Sequence, residues 1–180
     1  LLEKEKSDQL LEALESLLDI VEARSTLSIG DFGVFGSLLH GFYHPAFSDL
    51  DFIIYGGNEH GRLRETLATI YQEESSPLRN EFETMKPVAE KDWKFRNYSL
   101  KEYVWHQERK QIYAVFDHEG SGRTIKAEFE PVRRWEEIRG ENLNELRIRD
   151  MGWTRMLALV MDDSDAAFMP SVYRIEPEEV

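Results

Sequence analysis

The sequence predicts an α/β (α+β) domain with a mixed or antiparallel sheet, helices packed on one face, and a small C-terminal β appendage. Three observations predict it. Residues 10–21 repeat apolar side chains at helical spacing, residues 47–55 alternate apolar and acidic positions as a half-buried strand does, and two strand-like runs, 111–116 and 124–132, flank a turn-rich hexapeptide. A chain of 180 residues holds one main core and something small. Residues 1–140 are read as the main domain, with an N-terminal helix over 3–24, and residues 141–180 as a β-rich appendage that stops where a further strand would begin.

In the first helix Leu10, Leu11, Leu14, Leu17, Leu18 and Val21 form one apolar stripe and Glu and Asp occupy the other face. Residues 27–35 mix apolar residues with Gly30 and Gly33 and read as a strand. After Gly36-Ser37, residues 38–42 start a short helix that must end before Pro45. In the strand over 47–55, Leu50, Phe52 and Ile54 share one face, while Asp49, Asp51 and Ile53 share the other. Residues 62–72 predict a helix that buries Leu63, Leu67, Ile70 and Tyr71. Residues 73–94 contain two prolines and little periodicity, and read mostly as loop.

Ser99 caps a helix running to about residue 110, and Glu102 completes the Ser-x-x-Glu capping box. The runs 111–116 and 124–132 form an antiparallel hairpin around Asp117-His118-Glu119-Gly120-Ser121-Gly122. The appendage contributes two strands, over 153–160 and 167–175, around Asp162-Asp163-Ser164-Asp165.

Hydrophobic residues make up 41% and charged residues 32%, the balance of a folded chain rather than a disordered one. A formal charge of −13 repels a polyanion at long range, so nucleic acid would need a local basic patch. Cysteine is absent, which excludes disulfides and thiolate metal sites. No apolar run is long enough to span a membrane, and a cytoplasmic location is expected. The chain opens on Leu1 with no signal-like stretch, as a sequence starting inside a longer natural one would.

The chemistry concentrates in Phe35-Gly36-Ser37 and, eleven residues later, Asp49-Leu50-Asp51-Phe52. Glycine lets backbone approach phosphate oxygens closely, and a helix starting at Ser37 aims its free amides at them. Asp49 and Asp51, two apart on a strand, project side by side and suit a hard cation such as Mg²⁺. Taken singly, each motif has a plainer reading, as a turn glycine or as acids solvating a strand face. Glu128 and Glu130 share the exposed face of the later strand, and spacing alone does not choose between them.

Taken together, these motifs resemble the signature of the DNA polymerase beta-like nucleotidyltransferase superfamily, over about residues 21–135. The resemblance implies an enzyme that binds a nucleoside triphosphate, here ATP, with two Mg²⁺ or Mn²⁺ ions, and transfers the NMP to an acceptor hydroxyl with release of pyrophosphate. It implies that Asp49 and Asp51 are metal-binding and catalytic, and that a third acid comes from a later strand. Archaeal-type CCA-adding enzymes and their oligoadenylate-synthesising relatives place that acid three residues before a proline, which here is Glu128. Those relatives carry Asp there, although some antibiotic-modifying members use Glu. Gly36, Ser37 and Ser48, which precedes Asp49 as in many relatives, are expected to contact the nucleotide. Lys126 joins them because it shares the carboxylate face.

The acceptor is expected to be a protein or small-molecule hydroxyl, which the acidic charge favours, or RNA, which the likeness around Glu128 favours. The alternative is a non-catalytic nucleotide- or RNA-binding module that keeps the fold. His40 and His44 lie four apart, but Gly41 and Pro45 argue against a zinc-binding helix. Arg62, Arg64, Lys94, Arg96, Arg109, Lys110, Arg123, Lys126, Arg133 and Arg134 are the candidate cations for triphosphate or acceptor. Trp93, Trp105, Trp135 and Trp153 are expected in the core more than as stacking platforms.

Overall fold

Asp8 starts the first helix: its carboxylate accepts from the Leu10 and Leu11 amides at 3.0 and 3.3 Å, satisfying donors that a helix leaves open at its N terminus. The structure, a computed structural model, describes residues 8–84, 88, 99–138, 147 and 149–178. Helix α1 (Gln9–Glu22) buries Leu10, Ala13, Leu17, Leu18 and Val21, as its stripe predicts. A 3-10 turn (Ile29–Asp31) and strand β1 (Phe32–Val34) occupy the region read as one longer strand. Helix α2 (Gly36–His40) ends on Gly41 in the left-handed conformation.

Strand β2 (Leu50–Tyr55) leads into α3 (Gly57–Ile70), which begins five residues before the predicted start because Gly56, at φ 103°, makes the turn out of the strand. Strand β3 (Leu78–Asn80) lies inside the segment read as loop. Its three residues are too few to show a period. Helix α4 (Leu100–Lys110) has the predicted capping box, with Ser99 and Glu102 exchanging side-chain bonds. Strands β4 (Tyr113–His118) and β5 (Arg123–Val132) form the antiparallel hairpin, and β6 (Ala158–Asp162) pairs with β7 (Arg174–Pro177) in a separate two-stranded sheet.

The main sheet has the order β1-β2-β5-β4-β3. Only β2 and β5 run parallel; the other neighbours are antiparallel, so the sheet is mixed. One face carries Leu50, Phe52, Ile54, Ala114, Phe116, Ile125 and Phe129, packed with residues of α1 and α3 into the principal core. Each fully buried Leu, Ile or Phe there contributes roughly 1.5–3 kcal/mol. Phe52 and Phe129, adjacent in the β2–β5 ladder, stack with centroids 4.9 Å apart. Alternation therefore sends Asp51, Glu128 and Glu130 to the opposite face. A smaller cluster of Phe82, Val88 and Val104 joins α4 to the ring of Tyr113.

The segment linking β6 and β7 is anchored to the main domain. Phe168 is buried, with the Arg133 guanidinium 4.3 Å from its ring centroid, and Asp165 pairs with Arg133 at 2.6 Å. His60 on α3 is buried and its ring centroid lies 6.4 Å from that of Phe168; burial lowers its pKa to about 4. The strands of the appendage are shorter than expected, and they expose Leu159, Val160 and Met161. Trp135 and Trp153 are exposed and Trp105 is half-exposed beneath Arg109, so none of these three is core; Trp93 lies outside the described residues.

Candidate active site

The two motifs meet because β1 and β2 are antiparallel neighbours. The chain leaves β1 through Phe35, whose amide donates to the Asp51 carbonyl at 3.0 Å, so α2 starts beside the acidic strand. Gly36 takes φ +61°, and a Cβ built on it would lie 2.5 Å from Asp51 Oδ2. Glycine is therefore required twice, by its backbone conformation and by the closeness of the carboxylate. No side chain caps the N terminus of α2. Ser37 follows in its first turn.

Gly36→Ala should cost roughly 1–2 kcal/mol from the left-handed backbone alone, and it should also displace the Asp51 carboxylate. Gly41→Ala is the control, since Gly41 is also left-handed, at φ +68°, but has nothing within 4 Å of its added Cβ. Both variants should melt earlier, and only Gly36→Ala should lose affinity for Mg²⁺-ATP by titration calorimetry.

Asp51 pairs with Glu128 across the parallel β2–β5 ladder, whereas Glu130 is opposite Ile53. Tyr113 is the antiparallel neighbour of Glu128 on its other side and hydrogen-bonds it. Asp49 sits just before β2, open to solvent at its surface yet crowded enough by protein that desolvation raises its pKa against the pull of Lys126 and Arg123. Desolvation also raises Asp51, and the Asp49 charge adds to it. Glu128 is pushed up to about 7, by desolvation first and then by its neighbours Glu130 and Asp51. Acids that raise one another's pKa gain from any cation they take up.

All these donors are hard oxygens, the set that Mg²⁺ and Mn²⁺ favour. In that respect Asp49, Asp51 and Glu128 fit such an ion. Among the described residues, however, no group of three His, Asp or Glu side chains is arranged as a ready-made cation site.

The connection between the motifs is tied down at several points. Ser48 Oγ accepts from the His44 amide at 2.8 Å, so this hydroxyl is engaged within its own loop. Arg123 donates to the carbonyls of Pro45 and Ser48 at 2.6 and 3.0 Å, holding the approach to Asp49. Tyr43 donates to Asp8 at 2.7 Å. Lys126 pairs with Glu81. His40 stacks on Phe42, and the His44 Nδ1 accepts from the Ala46 amide.

Most other candidate cations have structural partners. Arg64 donates to the carbonyls of Arg109 and Lys110 at the end of α4, Arg134 pairs with Asp31 and Glu59, Arg133 holds Asp165, and Lys110 lies over the Tyr113 ring. Lys94 and Arg96 lie outside the described residues.

Sequence reasoning missed Tyr113 and Glu81. The hairpin register, counted outward from its turn, pairs Tyr113 with Glu128 and was available as a signal. Glu81 follows a strand too short to recognise, and nothing local marks it.

A family model described as a nucleotidyltransferase domain matches residues 14–115. The chain belongs to that family. The match spans Gly36, Asp49 and Asp51 and ends before β5, where Glu128 lies. The chain is also similar to "Uncharacterized protein MJ1086" of Methanocaldococcus jannaschii, 30% identical over 149 residues. That alignment covers 82% of this chain and 41% of the relative, so the chain spans less than half of that protein's length. No solved structure matches at a significant level. No helix among the described residues is long and apolar enough to cross a membrane.

Proposed function

We propose that the protein is a metal-dependent nucleotidyltransferase that moves the NMP of an NTP, with ATP the expected donor, onto an acceptor hydroxyl. The observation that supports this most is the convergence of Gly36 on Asp51 and of Asp51 on Glu128. Gly36 and Ser37 receive the triphosphate at the start of α2. Asp49 and Asp51 hold two Mg²⁺ or Mn²⁺ ions, with Glu128 as the third acid. Bound there, the ions supply positive charge to the transferring phosphoryl group and the departing pyrophosphate.

Glu128, the neighbour of Asp51 in the β2–β5 ladder, takes the proton of the acceptor hydroxyl. The acceptor oxygen bonds to the α-phosphorus as the bond from that phosphorus to the β-phosphate oxygen breaks, and pyrophosphate leaves. Arg123 keeps Asp49 in place through the backbone before it. Lys126, paired with Glu81, positions positive charge on the same face.

A non-catalytic nucleotide- or RNA-binding module draws on one observation, the lack of a ready-made cation site among the described residues. One experiment separates the two readings. The protein is incubated with each α-labelled NTP and Mg²⁺ or Mn²⁺ in the presence of RNA, protein or small-molecule hydroxyl acceptors. The enzyme reading expects label on one acceptor class and none with Asp49→Ala or Asp51→Ala. Label transfer that survives those substitutions would sink the proposed site, and binding of NTP without any transfer would favour the module.

A further inference from the structure

Lys126 has two carboxylates within its reach, and the fold decides between them. It shares the outer face of β5 with Glu128. In the parallel ladder Leu50 pairs with Ala127, so Asp49 and Lys126 stand one step before that pair on neighbouring segments. A lysine so placed, a point charge on a long flexible stem, would by itself settle on the exposed aspartate beside it. The ion pair in the structure runs the other way, to Glu81 beyond β3. The charges of Lys126 and Glu81 both act on Asp49, with opposite sign.

Glu81 takes the ammonium because its carboxylate has the least access to water. Its side chain is 11% exposed, whereas Asp49 is open to solvent. A mostly buried carboxylate costs much more to leave unpaired than one that water solvates. The mount under Glu81 is also rigid. Buried Asn80, just before it, donates through Nδ2 to the Glu108 carbonyl at 3.0 Å and accepts from the Phe82 amide at 2.9 Å through Oδ1. The Glu81 amide itself donates at 3.2 Å to the carbonyl of Tyr113, the residue paired with Glu128. The backbone that carries Glu81 is thus fixed relative to β4 and β5, and the flexible lysine is drawn to it.

We propose that Glu81 is a positioning residue of the site: it draws the Lys126 ammonium away from Asp49 and so leaves that carboxylate open to a divalent cation. This rests on the reading of Asp49 as a metal ligand. If Lys126 lay on Asp49 instead, a metal ion would have to displace an ammonium before it could bind. Held at Glu81, the same ammonium keeps its positive charge on the face that receives the triphosphate without occupying a ligand of the metal. Glu81 lies outside both signature motifs, and it acts through Lys126 rather than on the metal.

The test is binding of Mn²⁺ alone to the metal-free full chain, by titration calorimetry at low salt, for wild type, Glu81→Gln, Lys126→Met and the double variant. Gln keeps the shape of Glu81 and the Lys126 side chain is half-exposed, so melting curves in chelator should show all four folded. Glu81→Gln should bind Mn²⁺ about fivefold more weakly, the scale of one partly exposed ion pair, because the released ammonium competes at Asp49. Lys126→Met should bind at least as tightly as wild type, and adding Glu81→Gln to it should change nothing. An equal loss from Glu81→Gln in both backgrounds would overturn the inference, making Glu81 a ligand or a plain negative charge. Absence of any loss would overturn it too, as would weaker binding by Lys126→Met alone. Failure of wild type to bind Mn²⁺ would overturn the metal site itself, and the inference with it.

Discussion

Asp51→Asn is expected to lower nucleotidyl transfer by about a thousandfold or more while leaving the protein as stable as wild type or more so. The activity loss follows from position. Asp51 lies against Gly36 on one side and neighbours Glu128 in the β2–β5 ladder on the other, so it adjoins both the backbone proposed to receive the triphosphate and the proposed third acid. Cation charge on a transferring phosphoryl group is worth several kcal/mol, and each 1.36 kcal/mol is tenfold in rate. The stability side follows from electrostatics.

Desolvation and the nearby Asp49 raise the Asp51 pKa, so its ionised form is disfavoured in the folded protein relative to the unfolded chain. An amide of the same shape removes that penalty. Folding stability by thermal melting at neutral pH without metal, read beside transfer activity, checks both halves. A variant that loses activity because it unfolds would refute the placement of Asp51 as a ligand. One that keeps activity would refute the mechanism.

The acidic strand was legible because two periodicities coincide in it. Leu50, Phe52 and Ile54 had to face a core, so Asp49 and Asp51 had to lie on the other side. The α4 capping box and the β4–β5 hairpin were legible for the same reason: each is written in contiguous residues. The strand order was not. That β5 inserts between β2 and β4, parallel to one and antiparallel to the other, joins residues some eighty positions apart, and only this pairing puts Glu128 rather than Glu130 next to Asp51. The roles of the cations were equally hidden. Arg64 caps a helix forty-five residues away and Arg123 holds carbonyls of a distant loop; neither partner is a charged side chain that composition could suggest. Trp135 and Trp153 misled because ring size predicts burial only where an element exists to cover the ring.

Glu128→Gln is the second substitution with a large expected effect, and its pH dependence carries the argument. Folding pushes the Glu128 carboxyl from its ordinary value of 4.5 up to about 7, through desolvation, the charges of Glu130 and Asp51, and a hydrogen bond with Glu130, while Tyr113 pulls the other way. A raised carboxyl pKa means that the folded state keeps a proton the unfolded chain has already released. Metal-free stability therefore falls as pH rises from 4.5 to about 7, and is level above that. The side chain is half-exposed, so solvent screens much of the effect, and about 1 kcal/mol is the appropriate scale.

Glu128→Gln should thus match wild type in melting temperature at pH 4.5 and exceed it at pH 8, both without metal. Mg²⁺ or Mn²⁺ should narrow the difference at pH 8, because a cation bound to the carboxylate stabilises its charged form in wild type alone. Transfer by Glu128→Gln should fall about a hundredfold or more, the contribution of a positioned general base, whereas Glu130→Gln should stay within severalfold of wild type, since Glu130 is opposite Ile53 rather than an aspartate. The reverse ranking would make Glu130 the third acid. Equal activity of both variants with wild type would remove β5 from the chemistry altogether and leave Asp49 and Asp51 holding the metal alone.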